Sequence, residues 1–295
     1  MKDLWLLYND PDYEINREFA RMMRERGKAC GLSIEPVLLS ELVLGMDASG
    51  TPFCLRNGRP ARPDAVLSRQ RSSLVSAHLE SMDIPIFNNA RVCALCNDKR
   101  QTHQFLRGLP MPESLFLLPE QDRPPEGTRF PVIVKPALSH GGDRVTLAED
   151  EVQWREAAAR ILPAPALQQT MVSEAGRDLR VYVLFGEILT GVLRTAKTGV
   201  VSNFKLGGQA ALHPPTQEER DLVQAVIQRF EEAGAPLCMA GVDLLYDHGH
   251  PVVGEVEDVV GSRMLYQTSH IDIAALYVEG IAKWLKNGQT TGAVL

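Results

Sequence analysis

Three carboxylates stand close together late in the chain, in the stretch from Gly241 to Arg263, GVDLLYDHGHPVVGEVEDVVGSR. Asp243 lies among Val242, Leu244 and Leu245. Asp247, His248 and Gly249 form a polar turn, and Pro251, Val252 and Val253 lead to Glu255 and Glu257. Apolar runs on both sides of such a turn predict a β-hairpin. Residues two apart share a face of a strand, so Glu255 and Glu257 point the same way, and pairing across the turn brings Asp243 beside them. Three acids at one spot repel one another unless a cation neutralises them. Oxygen-only ligands suit Mg²⁺ or Mn²⁺, above all where the ion also carries substrate phosphates. A solvated hairpin whose acids face water fits this stretch equally well.

A second group of residues could meet a phosphate. Phe130 to Pro136, FPVIVKP, reads as an apolar strand ending in Lys135, and Ser139, His140, Gly141 and Gly142 follow directly. An ammonium group beside a glycine turn can share the charge of a phosphate with backbone N–H groups. The spacing is neither GxxxxGK followed by Ser or Thr nor GxGxxG, so the motif alone is weak. Arg194, Lys197, Asn203 and Lys205 then lie in one polar, basic stretch that ends at Gly207 and Gly208.

Elements must position these groups. Leu4 to Tyr8, Ile34 to Leu39, Asp64 to Ser68 and Ile84 to Phe87 read as short buried strands, with helices over Tyr13 to Cys30 and Ser72 to Met82 between them. Such alternation implies a parallel sheet, whose ligands sit at the carboxyl ends of its strands. That nominates Tyr8 to Asp10, Ser68 to Gln70 and Asn88 with Asn89 as cleft residues, with Arg69 placed to hold an anionic substrate or to be a plain loop arginine. A small hairpin around Asn57 and Gly58 decorates the sheet. A helix carries Asp98, Lys99 and Arg100, and a proline-rich segment follows. Strands at Val145 to Leu147, Leu167 to Val172, Val181 to Phe185 and Ile188 to Arg194, with a helix over Glu149 to Ile161, lead on to the acidic hairpin. Thr216 and Glu219 announce a helix to Ala233. The last helix, Ile271 to Lys286, is expected to be capped by Ser269, closed by Gly288, and to bury Ile273, Leu276, Tyr277, Ile281 and Trp284.

Composition narrows the class. At 295 residues and 44% hydrophobic, the chain can hold two or three compact units. A formal net charge of −6 argues against a nucleic-acid binder or a polybasic membrane protein. No run reaches the roughly 18 to 20 apolar residues of a membrane span, and MKDLWLLYNDPDYE turns acidic too early for a signal peptide, so the cytoplasm is expected. Five cysteines, an odd number scattered along the chain, do not form a disulfide framework. Cys93 and Cys96 read as core thiols of a helix.

The order of the motifs DKRQTHQFL, FPVIVKPALSHGG, LQQTMVSEAGRDLRVYVLFGEILTGVLRTAKTGVVSNFKLGG, GVDLL and GEVED resembles the ATP-grasp superfamily, and within it the RimK-like ligases that join amino acids to a carboxylate. The resemblance implies an α/β (α+β) ATP-grasp fold: a Rossmann-like amino-terminal unit over residues 1–97, a small lid subdomain over 98–168 and a carboxyl-terminal subdomain with the metal site over 169–295. By resemblance, Lys99 and Lys135 reach the phosphates of ATP under a lid formed by Ser139, His140, Gly141 and Gly142. Gln169, Thr170, Met171 and Val172 form the hinge bordering the adenine, and Asp178 lies near the ribose. Arg180, Arg194 and Asn203 line the reacting phosphate, and Asp243, Glu255 and Glu257 bind two Mg²⁺ or Mn²⁺ ions.

Three departures stand out. Glu257 occupies a position where relatives usually carry Asn, Asp143 and Arg144 replace a further lid glycine, and Asp258 to Arg263 replaces a serine-proline-glycine turn. The implied function is an ATP- and Mg²⁺-dependent carboxylate–amine ligase acting through an acylphosphate, of glutamate-ligase type. Its partners are small-molecule or peptide carboxylates and amines, with no nucleic acid and no membrane, and a homo-oligomer is left open. An ATP-binding scaffold without catalysis, or a phosphotransferase on the same fold, would share these residues. His140 reads as a base for the incoming amine or as an exposed loop histidine.

Overall fold

The computed structural model describes residues 1–196 and 208–287. The expected Asn203, Lys197, Lys205 and the helix-closing Gly288 lie outside the described residues. The first unit contains β1 (Lys2–Tyr8), α1 (Asp10–Ala29), β2 (Leu32–Leu38), β3 (Leu42–Met46), β4 (Pro52–Arg56), β5 (Arg59–Pro60), β6 (Ala65–Ser68), α2 (Ser73–Glu80), β7 (Ile86–Phe87) and α3 (Ala90–Cys96). Four of these strands form a sheet in the order β2-β1-β6-β7, every pair parallel. Both faces of a parallel sheet are covered, so β1 is apolar and buried from Leu4 to Tyr8. Trp5 and Leu7 pack on one side and Leu4, Leu6 and Tyr8 on the other. Helix α1 starts three residues earlier than the periodicity predicts, because the Asn9 side chain accepts from Asp12 N at 2.9 Å and caps it. The hairpin at Asn57 is present, joined by β3, which its half-exposed pattern had hidden.

Next come α4 (Lys99–Phe105), with Asp98 as its cap, β8 (Ser114–Leu117), β9 (Val132–Pro136), β10 (Thr146–Ala148), α5 (Glu151–Ala159) and β11 (Ala166–Thr170). Their strands form an antiparallel sheet in the order β10-β9-β11-β8, covered by α5 through Trp154 and Ala157. A larger antiparallel sheet then uses β12 (Arg177–Leu184), β13 (Glu187–Thr195), β14 (Gln209–Leu212), β15 (Met239–Asp247) and β16 (His250–Glu257), in the order β14-β13-β12-β15-β16. Helix α6 (Gln217–Glu232) lies between β14 and β15 in sequence, opened by the Thr216 and Glu219 capping box, and α7 (Arg263–Thr268) and α8 (Ile273–Asn287) end the described chain.

Strict alternation sorts the large sheet. Leu179, Val181 and Val183 of β12, Val242 and Leu244 of β15 and Val253 and Val256 of β16 pack with Leu222, Val226 and Phe230 of α6. Their neighbours at odd offsets therefore face the opposite side, and these include Asp178, Arg180, Asp243, Glu255 and Glu257. The turn of the β15–β16 hairpin is the expected polar one: His248 and Gly249 take φ of 51° and 84°, the two positive values that a tight type I′ connection needs.

Helix α8 packs on α1 and belongs to the core beneath the first sheet. Its first turn is capped by Asp272, which accepts from Ala275 N at 3.1 Å, and not by Ser269, which serves Ile271 N. Leu276 is 40% exposed, so it is not part of the core. Asn88, nominated as a cleft residue, is instead a buried tie between units. Its amide donates to Met239 O at 2.8 Å and Asp258 O at 3.0 Å and accepts from Cys238 N at 2.7 Å. Gln70, bonded to Ser68 and Ser76, and Asn89, the cap of α3, are likewise structural. Cys93 and Cys96 are buried free thiols, as expected. Among the described residues no helix is long and apolar enough to cross a membrane.

Replacing Asn88 with Ala leaves several buried backbone groups without partners. The expected loss is about 2 to 4 kcal/mol, read as a lower urea midpoint, and an unchanged midpoint would remove this tie from the account.

Candidate functional site

The charged face of the large sheet forms the floor of a cleft of about 890 Å³. The second sheet contributes Lys135 and Gln169, the loop after β9 contributes Ser139 to Arg144, and the first unit contributes Asn16, Phe19, Arg69 and Arg71. A cleft of this size where three sheets meet suits a ligand of several hundred daltons.

Cross-strand register builds the floor. Arg180 of β12 is paired with Asp243 of β15, and Asp243 with Glu255 of β16. Between Asp243 and Leu244 the register shifts by one residue, leaving Gly254 as the extra member of a bulge. Bulges re-aim the side chains beside them, here Glu255. A Cβ at Gly254 would lie 2.9 Å from Leu245 Cγ, and one at Gly241 would lie 2.7 Å from Val260 Cγ2 and 3.5 Å from Arg180 Cδ. Glycine at these positions keeps room for the floor to close.

The three acids share one face of the sheet, and protein cations answer them. Arg180 donates from Nε and Nη2 to both oxygens of Asp243, at 2.8 and 2.7 Å, and from Nη2 to Glu257 Oε1 at 2.7 Å. Arg194 bonds Asp243 Oδ2 at 2.7 Å and Asp178 Oδ2 at 2.6 Å through Nε. Lys99 reaches Glu255 Oε1 at 3.0 Å and also donates to the carbonyl of Ser139, tying the glycine loop to α4. Burial alone would raise the Asp243 pKa, but Arg180 and Arg194 outweigh it and hold the carboxyl well below the usual range. Burial raises Glu257, with Asp243 and Glu255 adding to the effect against Arg180. At Glu257 the corner is short of positive charge.

Such a corner suits a divalent ion. The donors are carboxylate oxygens from neighbouring strands, the set that Mg²⁺ prefers. Among the described residues no three His, Cys, Asp or Glu side chains converge into a ready-made cage: Arg180 ties Asp243 to Glu257, and Lys99 takes Glu255.

Lys135 donates to Gln169 Oε1 at 2.8 Å, and Gln169 in turn donates to Ser114 Oγ at 3.1 Å. Desolvation of its ammonium lowers Lys135 to about 8, with Glu255 opposing. Gln169 and Thr170 close β11, and Met171 and Val172 continue along the cleft toward Asp178. Ser139 is 8% exposed, while Gly141 and Gly142 hold φ of 65° and 79°, values that favour glycine. His140 is half-buried on the cleft wall and not an exposed loop residue. Burial pushes its pKa down to about 4, too low for it to strip a proton from an alkylammonium at neutral pH.

The resemblance sets Arg180 beside a reacting phosphate, whereas its bonds in the structure go to the acids. The available signal was its cross-strand position opposite Asp243. The sequence nominates Tyr8 as a cleft residue but does not mark Phe19 or the Arg71–Asp12 pair, at 2.5 Å. Nothing in their local pattern distinguishes them from core and surface residues.

The family model described as the RimK-like ATP-grasp domain matches residues 97–281. A probable alpha-L-glutamate ligase of Shewanella pealeana is 29% identical over 95% of this chain and 63% of its own length, so the chain spans somewhat under two thirds of that relative. N-acetylaspartylglutamate synthase A of Homo sapiens is 30% identical over 92% of the chain and 74% of its own length. The crystal structure of a D-cycloserine synthetase matches with a TM-score of 0.72 at 18% identity, covering 96% of this chain and 99% of that one, a likeness of fold.

The lowered pKa of Lys135 sets a pH dependence. A bound phosphate favours the charged ammonium, so affinity is full below about pH 8 and falls above it as the free site loses its proton. Titration with ATP from pH 7 to 9.5 should show affinity declining toward about tenfold per unit above pH 8. Lys135→Arg, which stays charged, should flatten the profile; an identical decline in that variant would exclude Lys135 as its source.

Proposed function

The chain belongs to the RimK-like ATP-grasp family, and on that premise we propose that it is an ATP- and Mg²⁺-dependent carboxylate–amine ligase working through an acylphosphate. The observation that carries this reading is the opposition, within one cleft, of Asp243, Glu255 and Glu257 to Lys99, Lys135 and Arg194. Phosphoryl transfer needs alignment and charge neutralisation more than a nucleophilic side chain. Residues 1–97, 98–168 and 169–295 are taken as the three functional units, and the cytoplasm as the setting, which five free cysteines suit.

In this reading Asp243, Glu255 and Glu257 would hold two Mg²⁺ ions, whose chemistry is to neutralise the phosphate oxygens. Lys135 and Lys99 hold the phosphates from the opposite side, and Ser139, His140, Gly141 and Gly142 cover them and exclude water. Gln169, Thr170, Met171 and Val172 border the adenine, with Asp178 toward the ribose. Arg180, Arg194 and Asn203 serve the reacting phosphate. Arg180 and Arg194 keep Asp243 ionised and fixed in direction.

A carboxylate oxygen of the acid substrate attacks the γ-phosphorus and ADP leaves. The amine then attacks the acyl carbon, phosphate leaves, and the nitrogen gives up a proton to solvent. His140, with its low pKa, is not the acceptor of that proton. The acid and amine are small molecules or peptides. Glutamate is the first amine to test, since the names of the bacterial and human relatives both include it.

ADP release should require an acid and an amine together. Release with the acid alone would indicate a phosphotransferase, and none at all despite ATP binding would indicate a scaffold. Glu255→Gln should lower turnover by about 100-fold or more while leaving the melting temperature nearly unchanged; wild-type turnover in this variant would remove Glu255 from the metal site.

A further inference from the structure

Arg69 follows β6 directly and lines the cleft on the side of the first unit. It is 5% exposed, which is unusual for an arginine. Nη2 donates to Val260 O at 2.8 Å, and the guanidinium lies over the Phe19 ring at 5.1 Å. Nε is buried and has no acceptor. Tyr8 lies beside it. Burial raises the pKa of its fully enclosed hydroxyl, opposed by the charge of Arg69 and by a side-chain hydrogen bond with it.

The Arg69 Nε–H therefore lacks an acceptor, and among the described residues no carboxylate lies within ion-pair distance of Arg69. The nearby acids are engaged elsewhere: Asp12 pairs with Arg71 at 2.5 Å, and Asp258 Oδ1 accepts from Asn97 at 2.9 Å. A buried guanidinium with one carbonyl partner and an aromatic face is poorly compensated. A planar, two-pronged anion is the ligand that a guanidinium matches best.

We propose that Arg69 is the specificity-determining residue for a carboxylate of an acidic substrate, other than the carboxylate that takes the phosphoryl group. The inference rests on the ligase reading of the cleft. It accounts for a guanidinium buried on the cleft wall whose Nε–H has no acceptor.

The test is calorimetric titration of the full chain, with ADP and Mg²⁺ present, using L-glutamate, L-glutamine and L-isoglutamine. The two amides each neutralise one carboxylate of L-glutamate. The wild type should prefer L-glutamate over one amide by about tenfold or more. Arg69→Gln should lose that preference while its ATP affinity and melting temperature stay at wild-type values. Arg69→Lys, which keeps the charge without the fork, should retain an intermediate preference and guards against misfolding of the first variant. Failure of the wild type to bind L-glutamate or to distinguish it from either amide would overturn the proposal, as would a preference that survives in Arg69→Gln. Failure of the ligase reading is seen separately, as ATP binding without ADP release for any pair of acid and amine.

Discussion

The bridge from Arg180 to Asp243 and Glu257 is the interaction on which the site depends. Each of these groups is largely shielded from water, and an isolated charge in such a place would be driven toward its neutral form. Joined by bonds of 2.7 to 2.8 Å they are held in fixed directions, and Asp243 stays ionised. Breaking a buried pair by removing one partner typically costs about 3 to 5 kcal/mol, so the sheet retains the arrangement. Arg194 extends it to Asp178, and one connected set of charges covers four adjacent strands.

That network also explains how acids can be stored without a metal cage. The carboxylates need compensation at all times, and Arg180, Arg194 and Lys99 provide it from within the protein. The compensation is uneven. Asp243 is held far below its usual pKa while Glu257 is raised, so the deficit of positive charge lies at the Glu257 edge. Glutamate at 257 adds negative charge there and also gives Arg180 its second anchor. Lys135, in turn, is an ammonium lowered by desolvation. A divalent cation at the Glu257 edge and a phosphate anion at Lys135 would relieve the two imbalances.

The fold supports this by meeting at the cleft from three sides. The large sheet supplies a floor made rigid by α6, the second sheet supplies Lys135, and the first unit supplies the wall with Arg69. Asn88 and α8 couple the first unit to the large sheet: Asn88 bonds the chain at Cys238, Met239 and Asp258, and Tyr277 of α8 donates to Phe87 O at 3.3 Å. Structure and chemistry are thus joined through residues that never touch a ligand.

Local pattern decided which side chains share a face. Alternation in Arg177–Leu184 and Met239–Glu257 was enough to separate apolar from charged positions, and His248–Gly249 to place the turn, because both follow from the twofold period of a strand and the φ range of glycine. The order of motifs was enough to identify the family. What the sequence could not reveal is which charge answers which. Lys99 meets Glu255, Arg180 meets Glu257, and Arg69 meets Val260 across 191 residues, and the burial that lowers Lys135 and His140 exists only once separate sheets close on one another. Charge pairing and desolvation depend on distance in space, and no local pattern encodes the approach of elements so far apart along the chain.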